Sequence, residues 1–436
     1  MSEKKEFAEI EKKLQAMASP GIRPGLARLA KLLLEVGTPQ DKFPAVHIAG
    51  TNGKGSTAAS LYSILRASGY KTALYTSPHL VDFSERLEID GERISSTKWR
   101  GAIAEIESII GRTPFFSENL PTYFELTTAA AMLITAEEEP DVAIFEAGMG
   151  GRLDATNILG DVRLSVIVPI GLDHMEYLGG TLAKVAAEKF AIMRRGAPAL
   201  FAGSKELNAQ FAAAAKSSGA VPYIFSSLRR ITDASYSLRG CDFTLADAAG
   251  AKDSYHTPLV GTFQPENASL AVTAAELLAK DFPKITKQTI KAGAASAVWQ
   301  GRMEVVSPRR PFIIDGGHNP HAMRRVAQTL KTLLPGRRVN IVVAMMKDKE
   351  VGRALAYLRG ADAALFCTQV PGSARSLDAY EMKRAAEAEG LETAGGYDDP
   401  VEAINAALAL PSPLLCCGSL FLVGYIKEHI DELRGL

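Results

Sequence analysis

The stretch Gly50-Thr51-Asn52-Gly53-Lys54-Gly55-Ser56-Thr57 follows a short apolar run, Ala45-Val46-His47-Ile48-Ala49, and opens a helical pattern that continues through Leu65. Glycines at 50, 53 and 55 let the backbone turn its N–H groups inward, Lys54 reaches terminal phosphates, and the helix opened by Ser56 presents its positive end to an anion. The spacing departs from the common GxxxxGK(S/T) form because Gly55 separates Lys54 from the hydroxyl. A turn that is merely tight has no use for both the lysine and the hydroxyl. The loop therefore reads as a phosphate cradle between a strand and a helix, and the fold as α/β.

Outward from the loop the same rhythm continues. Strand-like runs at 72–75, 141–146, 163–168 and 198–201 alternate with helix-like ones at 55–68, 99–110, 123–138 and 181–194, which predicts a mostly parallel sheet covered by helices. An amphipathic pattern over 22–36 predicts a helix before the first strand, and short strand-like pieces over 221–260 interrupt the alternation. A second α/β rhythm starts at Trp299, with strands at 311–314, 339–344, 363–367 and 413–417 and helices near 319–333, 378–389, 400–409 and 420–433. We place the domain boundary there, as expected for a chain of 436 residues.

Lys plus Arg and Asp plus Glu balance at 49 each, so no broad basic field exists to hold nucleic acid or an anionic membrane, and anion recognition must be local. No apolar run approaches the roughly 20 residues of a spanning helix, and the charged start lacks a signal-peptide core. A cytoplasmic protein is the expectation. The four cysteines, 241, 367, 416 and 417, form no CxxC pair and read as buried small hydrophobes.

Three further elements fall at the carboxyl ends of predicted strands, where open parallel sheets bind ligands: Tyr75-Thr76-Ser77-Pro78-His79, Phe145-Glu146-Ala147-Gly148, and Ile170-Gly171-Leu172-Asp173-His174. Singly, Ser77 reads as a turn residue, Glu146 as a paired strand end and His174 as a loop histidine. Together they supply hydroxyl, carboxylate and imidazole groups for Mg²⁺ beside a nucleotide, although magnesium prefers oxygen to imidazole.

The segments HIAGTNGKGST (47–57), YTSPHLVDFSERLEIDGERIS (75–95), PTYFELTTAAA (121–131), FEAGMGGRLDATN (145–157), GLDHMEYLG (171–179), WQGRMEV (299–305) and IIDGGHNPHA (313–322) closely resemble, in order, the motifs of the folylpolyglutamate synthase and bifunctional dihydrofolate synthase/folylpolyglutamate synthase family, within the Mur ligase group. The resemblance runs from Arg23 to Leu420. It implies a P-loop ATPase domain over 1–298 and a C-terminal Rossmann-like glutamate ligase domain over 299–436, with substrates meeting between them. ATP is then expected on Thr51, Asn52, Gly53, Lys54, Gly55, Ser56 and Asn267, with Arg302 and Asp315 reaching in from the second domain. The resemblance makes Ser77, Glu146 and His174 magnesium ligands, two ions being expected, and Lys189 the lysine that becomes carbamylated.

Thr122, Tyr123, Phe124 and Glu125, with Leu153, Asp154 and Ala155, resemble the dihydropteroate-contacting segments, and residues 79–95 would be a mobile loop beside them. Tyr123 and Phe124 either stack on a pterin or fill the core. His318 is a candidate for handling the amine proton or for capping a helix. Two departures from the family are Phe190-Ala191 after Lys189, where Ala-Gly is usual, and Phe263, where many relatives have histidine.

The activity so implied is ATP-dependent ligation of L-glutamate to dihydropteroate, to a reduced folate, or to both, through an acyl phosphate, by a monomer that uses Lys54, Lys189 and His318 in catalysis. The alternative is glutamylation of folates alone. A peptidoglycan Mur enzyme would carry a further N-terminal domain, against the 49 residues ahead of the loop here. A switch or transport ATPase would hydrolyse ATP without glutamate, and a dinucleotide oxidoreductase would show GxGxxG after the strand.

Overall fold

Ala45–Ala49 forms the first strand, β1, and all five of its residues are buried, as a central strand covered on both faces requires. It belongs to a computed structural model that describes residues 3–433. The next strands are β2 (Thr72–Tyr75), β3 (Leu87–Ile89), β4 (Glu92–Arg93), β5 (Val142–Glu146), β6 (Val162–Ile167), β7 (Pro198–Phe201) and β8 (Val221–Ile224). They assemble in the order β4-β3-β2-β5-β1-β6-β7-β8. All neighbours from β2 to β8 pair in parallel, whereas β3 and β4 are antiparallel additions at one edge. Because β1 lies between β5 and β6, the cradle that follows it is flanked by the carboxyl ends of both neighbours.

Three strands, β9 (Arg229–Ser237), β10 (Gly240–Asp247) and β11 (Lys252–Thr257), then form a separate small sheet. The last sheet runs β12-β13-β17-β14-β15-β16 and comprises β12 (Glu304–Ser307), β13 (Phe312–Ile314), β14 (Val339–Val343), β15 (Ala363–Thr368), β16 (Thr393–Tyr397) and β17 (Leu414–Cys417). Only β12 is antiparallel to its neighbour. The fold is thus α/β with a mostly parallel sheet in each half.

Internal packing divides the chain into two compact units. The first runs to Arg230 and includes Ala246–Lys252 and Asn267–Ala297; the second has Ile231–Leu245, Asp253–Glu266 and the chain from Val298. The small sheet contributes to the second because Val260 is part of that unit's core, against which Leu238 and Phe263 pack. This also accounts for Phe263: its ring is spent on packing.

Three elements differ from the sequence reading. A helix at Glu3–Met17 was not expected, because its charges mask the buried Phe7, Ile10 and Leu14 at helical spacing. Burying each of these is worth about 1.5–3 kcal/mol. The helix expected over 22–36 starts only at Ala27, since Pro24 and a Gly25 with φ of 144° keep the preceding turn irregular. The segment 79–95 is a structured edge rather than a free loop: Asp82 and Glu85 close a capping box on a 3₁₀ turn, and β3 and β4 form a hairpin across Asp90 and Gly91, both with positive φ.

Candidate functional site

At the end of β1, Gly50 adopts a φ of 148°, and a Cβ there would stand 2.1 Å from Val168 Cγ2 and 2.8 Å from the Val168 carbonyl oxygen. Only glycine lets the loop lie against the end of β6. Thr51 fastens it: its hydroxyl donates to the Gly171 carbonyl at 2.9 Å and accepts from the Gly171 N–H at 2.9 Å. The Thr51 and Asn52 N–H groups are given to the Pro169 carbonyl at 3.0 and 3.4 Å.

The phosphate-facing donors therefore belong to the helix Lys54–Ala67, whose N-cap, Gly53, offers no side-chain hydrogen bond to its first turn. A Cβ on Gly53 would be 2.5 Å from Asn267 Oδ1, which puts Asn267, a residue more than 200 positions away, against the cradle as expected.

Lys54 Nζ lies 3.4 Å from the carbonyl oxygens of both Gly50 and Thr51 and 3.8 Å from Glu146 Oε1. Lys189 lies in the last turn of the helix Leu182–Phe190 and donates to the same Gly50 oxygen at 2.7 Å. Lys189 is 4% exposed. Burial, and then the nearby Lys54 ammonium, bring its pKa down to about 7, while Asp173 and Asp154 act in the opposite direction. A lysine so placed holds a large neutral fraction at physiological pH, the form that reacts with CO₂. Phe190 does not crowd it, because its ring packs with Phe201 and Phe211 at 5.2 and 5.4 Å. Gly151 allows this approach: a Cβ there would be 2.4 Å from the Glu188 carbonyl.

Ser77 and His174 line one cavity of about 480 Å³ in the first unit. Its wall contains every residue expected to touch the acceptor: Thr122, Tyr123, Phe124, Glu125, Leu153, Asp154 and Ala155. Tyr123 and Phe124 are therefore cavity walls that also pack on the core. Thr122 and Glu125 cap the helix Tyr123–Glu138 reciprocally, and Glu125 also pairs with Arg28 at 3.0 Å, so its carboxylate shapes this wall.

Asp154 is held from behind. Its Oδ2 accepts from the Met149 N–H at 2.7 Å, and its Oδ1 from the Thr156 N–H and hydroxyl at 3.0 and 2.6 Å. The Thr156 oxygen in turn meets His47 Nε2 at 2.8 Å. Burial raises the Asp154 pKa and drives that of His47 down to about 3. The sequence reading did not anticipate this His47–Thr156–Asp154 chain, since nothing in the spacing links a strand histidine to a loop more than 100 residues on.

A magnesium ion fits by donor chemistry. Among the described residues no three or more His, Cys, Asp or Glu side chains cluster as a ready cage. Magnesium usually takes one or two carboxylates together with phosphate oxygens and water. The buried Glu146 carboxylate at the end of β5 and the Ser77 hydroxyl suit that pattern. His174, with φ of 49°, is a less usual partner.

In the second unit, Asp315 follows β13 and receives the N–H groups of Gly317 and Met303 at 2.7 and 2.8 Å. Its burial raises its pKa, against which the Arg302 guanidinium acts. Arg302 lies against Gly316, whose added Cβ would be 2.8 Å from Nη1. His318 Nδ1 is 2.9 Å from the Gly316 carbonyl, which fixes Nδ1 as the donor and Nε2 as the basic nitrogen. His318 does not cap the helix Pro320–Leu333; Asn319 does, accepting from the Ala322 N–H at 2.8 Å. Arg302, Asp315 and His318 thus gather at one strand-to-helix turn.

Residues 48–275 match the Mur ligase middle domain and residues 301–420 the Mur ligase glutamate ligase domain. The chain is 32% identical to a dihydrofolate synthase/folylpolyglutamate synthase of Bacillus subtilis, over 94% of this chain and 96% of that one. It is 34% identical to the Escherichia coli protein of the same name, over 97% and 94%. Among solved structures, E. coli FolC in complex with DHPP and ADP superposes with a TM-score of 0.87 at 30% identity, covering 98% of this chain and 97% of that one. A Mycobacterium tuberculosis folylpolyglutamate synthase complexed with ADP gives 0.87 at 29%, with 98% of both chains covered.

Proposed function

We infer the chemistry from one premise: this chain belongs to the Mur ligase family, in its group of dihydrofolate synthases and folylpolyglutamate synthases. It is an ATP-dependent glutamate ligase of folate metabolism. Its acceptor is dihydropteroate, a reduced folate, or both, and the reaction passes through an acyl phosphate. The observation that carries this reading is the convergence of Lys54 and Lys189 on the Gly50 carbonyl, with Lys54 beside Glu146, in the unit that also holds the Tyr123/Phe124 cavity.

A carboxylate approaching a triphosphate meets anion repulsion, so the protein's task in this step is neutralisation and alignment more than acid–base chemistry. Lys54 and the first-turn N–H groups of its helix hold the terminal phosphates. The cavity wall orients the acceptor so that its carboxylate attacks the γ-phosphorus in line, forming an acyl–oxygen–phosphorus bond as the bond to ADP breaks. The glutamate amine then forms the amide and inorganic phosphate leaves. His318, with Nε2 as its basic nitrogen, takes the amine proton. Glu146, Ser77 and His174 would hold Mg²⁺, and a carbamylated Lys189 a second ion; when bound, these ions neutralise phosphate charge. Thr51–Ser56 and Asn267, with Arg302 and Asp315 of the second unit, are the nucleotide contacts in this reading.

We keep 1–298 and 299–436 as the functional division, supported by the limits of the two matched domains. A cytoplasmic monomer completes the reading; no helix among the described residues is long and apolar enough to cross a membrane. The test is direct. The protein with ATP, Mg²⁺ and L-glutamate, given dihydropteroate or tetrahydrofolate, should yield the glutamate amide by mass, and ¹⁸O from the acceptor carboxylate should appear in phosphate. Product from tetrahydrofolate alone selects glutamylation only. Unlabelled phosphate would exclude the acyl phosphate.

A further inference from the structure

The cavity wall contains a cation that the proposed chemistry leaves unused. Arg86 is 6% exposed, lines the cavity, and stacks over the rings of Tyr123 and Phe83, with its guanidinium carbon 5.5 and 5.7 Å from their centres. A guanidinium cannot shed its charge on burial, as Lys189 can in part, and a buried charge persists only where something answers it. Four carboxylates on neighbouring segments are engaged elsewhere. Asp82 and Glu85 face Arg93 at 3.7 and 4.0 Å, Glu125 holds Arg28 at 3.0 Å, and Glu11 accepts from the Tyr123 hydroxyl at 3.0 Å. Among the described residues, none ion-pairs with Arg86.

What Arg86 does have is an orienting partner. Its Nε–H donates to His79 Nδ1 at 3.0 Å. His79 accepts there through Nδ1 and so is the neutral imidazole. The proton then sits on Nε2, which faces Glu11 at 3.8 Å. The guanidinium plane is thereby fixed against Tyr123 and also meets the buried Tyr75 hydroxyl, and its remaining N–H groups are left for a cavity ligand.

We propose that Arg86, oriented by His79, donates to the ring oxygen of a 4-oxopteridine acceptor and so rejects its 4-amino counterpart. This rests on the reading above that the cavity takes a pteroate. Ser77 and His174, where the magnesium would sit, mark the part of the wall that meets the reacting carboxylate, and the donor stacked on Tyr123 is assigned to the heterocycle. A 4-amino group would turn N–H against N–H.

The experiment compares dissociation constants of matched 4-oxo and 4-amino pteroates for wild type, Arg86→Met, Arg86→Lys and His79→Gln, with ADP affinity as the control for folding. Wild type should prefer the oxo ligand about 10- to 150-fold, the range of a hydrogen bond to a charged group. Arg86→Met should erase that preference through weaker oxo binding, Arg86→Lys and His79→Gln should reduce it, and ADP should bind unchanged. A wild type that binds both ligands equally overturns the inference even if no variant folds. Equal weakening of both ligands in Arg86→Met also overturns it, assigning Arg86 to the ligand's carboxylate. A wild type that binds ADP but neither pteroate removes the cavity assignment itself and the inference with it.

Discussion

Lys189 and Lys54, carried by separate helices, converge on one acceptor, the carbonyl oxygen of Gly50, at 2.7 and 3.4 Å. The loop read as the phosphate cradle is thus also the point at which a buried amine is held. Lys189 has a folded pKa of about 7, below the roughly 10.4 of an unfolded lysine. Between these values the unfolded chain binds more protons, so this group's contribution to stability rises with pH from about 7 to 10.4 and is least favourable below 7. Lys189→Met in CO₂-free buffer should therefore gain stability relative to wild type at pH 7 and lose that advantage toward pH 10, by at most about 1.4 kcal/mol per unit. Urea midpoints of both proteins across this range measure it. A difference independent of pH would contradict a depressed Lys189.

Lys54 reaches carbonyl oxygens of its own loop at 3.4 Å, and its one contact with another strand, Glu146 at the end of β5, is 3.8 Å long, so removing it should spare the fold. Lys54→Ala should lower kcat for ligation by about 100-fold or more, the scale of losing one preorganised stabiliser of transition-state charge. Its melting temperature should stay within a few degrees of wild type. Near-normal turnover in a folded variant would remove the cradle from the mechanism.

Gly148 sets the position of an aromatic wall. A Cβ there would be 2.6 Å from Phe124 Cζ, so Gly148→Ala must displace the ring and reshape the cavity wall that both residues line. The KM for the acceptor should rise at least about tenfold, as expected for a misshapen apolar site, while the KM for ATP stays close to wild type. Equal change in both constants would mean that Phe124 does not border the acceptor.

Much of this was legible in the residues because local chemistry dictated it. The run 45–49 and the turn at 50–57 announced strand, turn and helix, and the segments holding Ser77 and Glu146 fall at the carboxyl ends of β2 and β5 as read. The hairpin at 87–93 was missed in favour of a mobile loop, although Asp90-Gly91 between Ile89 and Glu92 is a strong turn signal. The Arg86 charge without an ion-pair partner was not legible. That it lacks a carboxylate follows from where Asp82, Glu85, Glu11 and Glu125 turn, and spacing along the chain does not carry that information. The same holds for the second unit's claim on residues 253–266, which depends on what Val260 packs against.

His47 makes the last prediction. The Thr156 hydroxyl gives its hydrogen to Asp154, so it must accept from His47 Nε2–H, which leaves His47 Nδ1 as a buried acceptor without a hydrogen-bond partner. Protonating that nitrogen would place a charge in the sheet centre, which is why the folded pKa falls to about 3 from an ordinary value near 6.5. Between pH 3 and 6.5 the unfolded chain binds more protons, so the stability this histidine contributes is lost as pH falls through that window. Asp154, whose pKa is raised by burial, works in the opposite direction, and the difference between two proteins that both keep it isolates His47. His47→Gln retains an N–H donor for Thr156 but cannot titrate, so its stability should fall less steeply than that of wild type from pH 6.5 to 4. His47→Phe should flatten the same limb yet lose about 1–3 kcal/mol at pH 7, because the Thr156 oxygen then has no donor. Parallel acid limbs in wild type and His47→Gln would show that His47 is not held neutral by the fold.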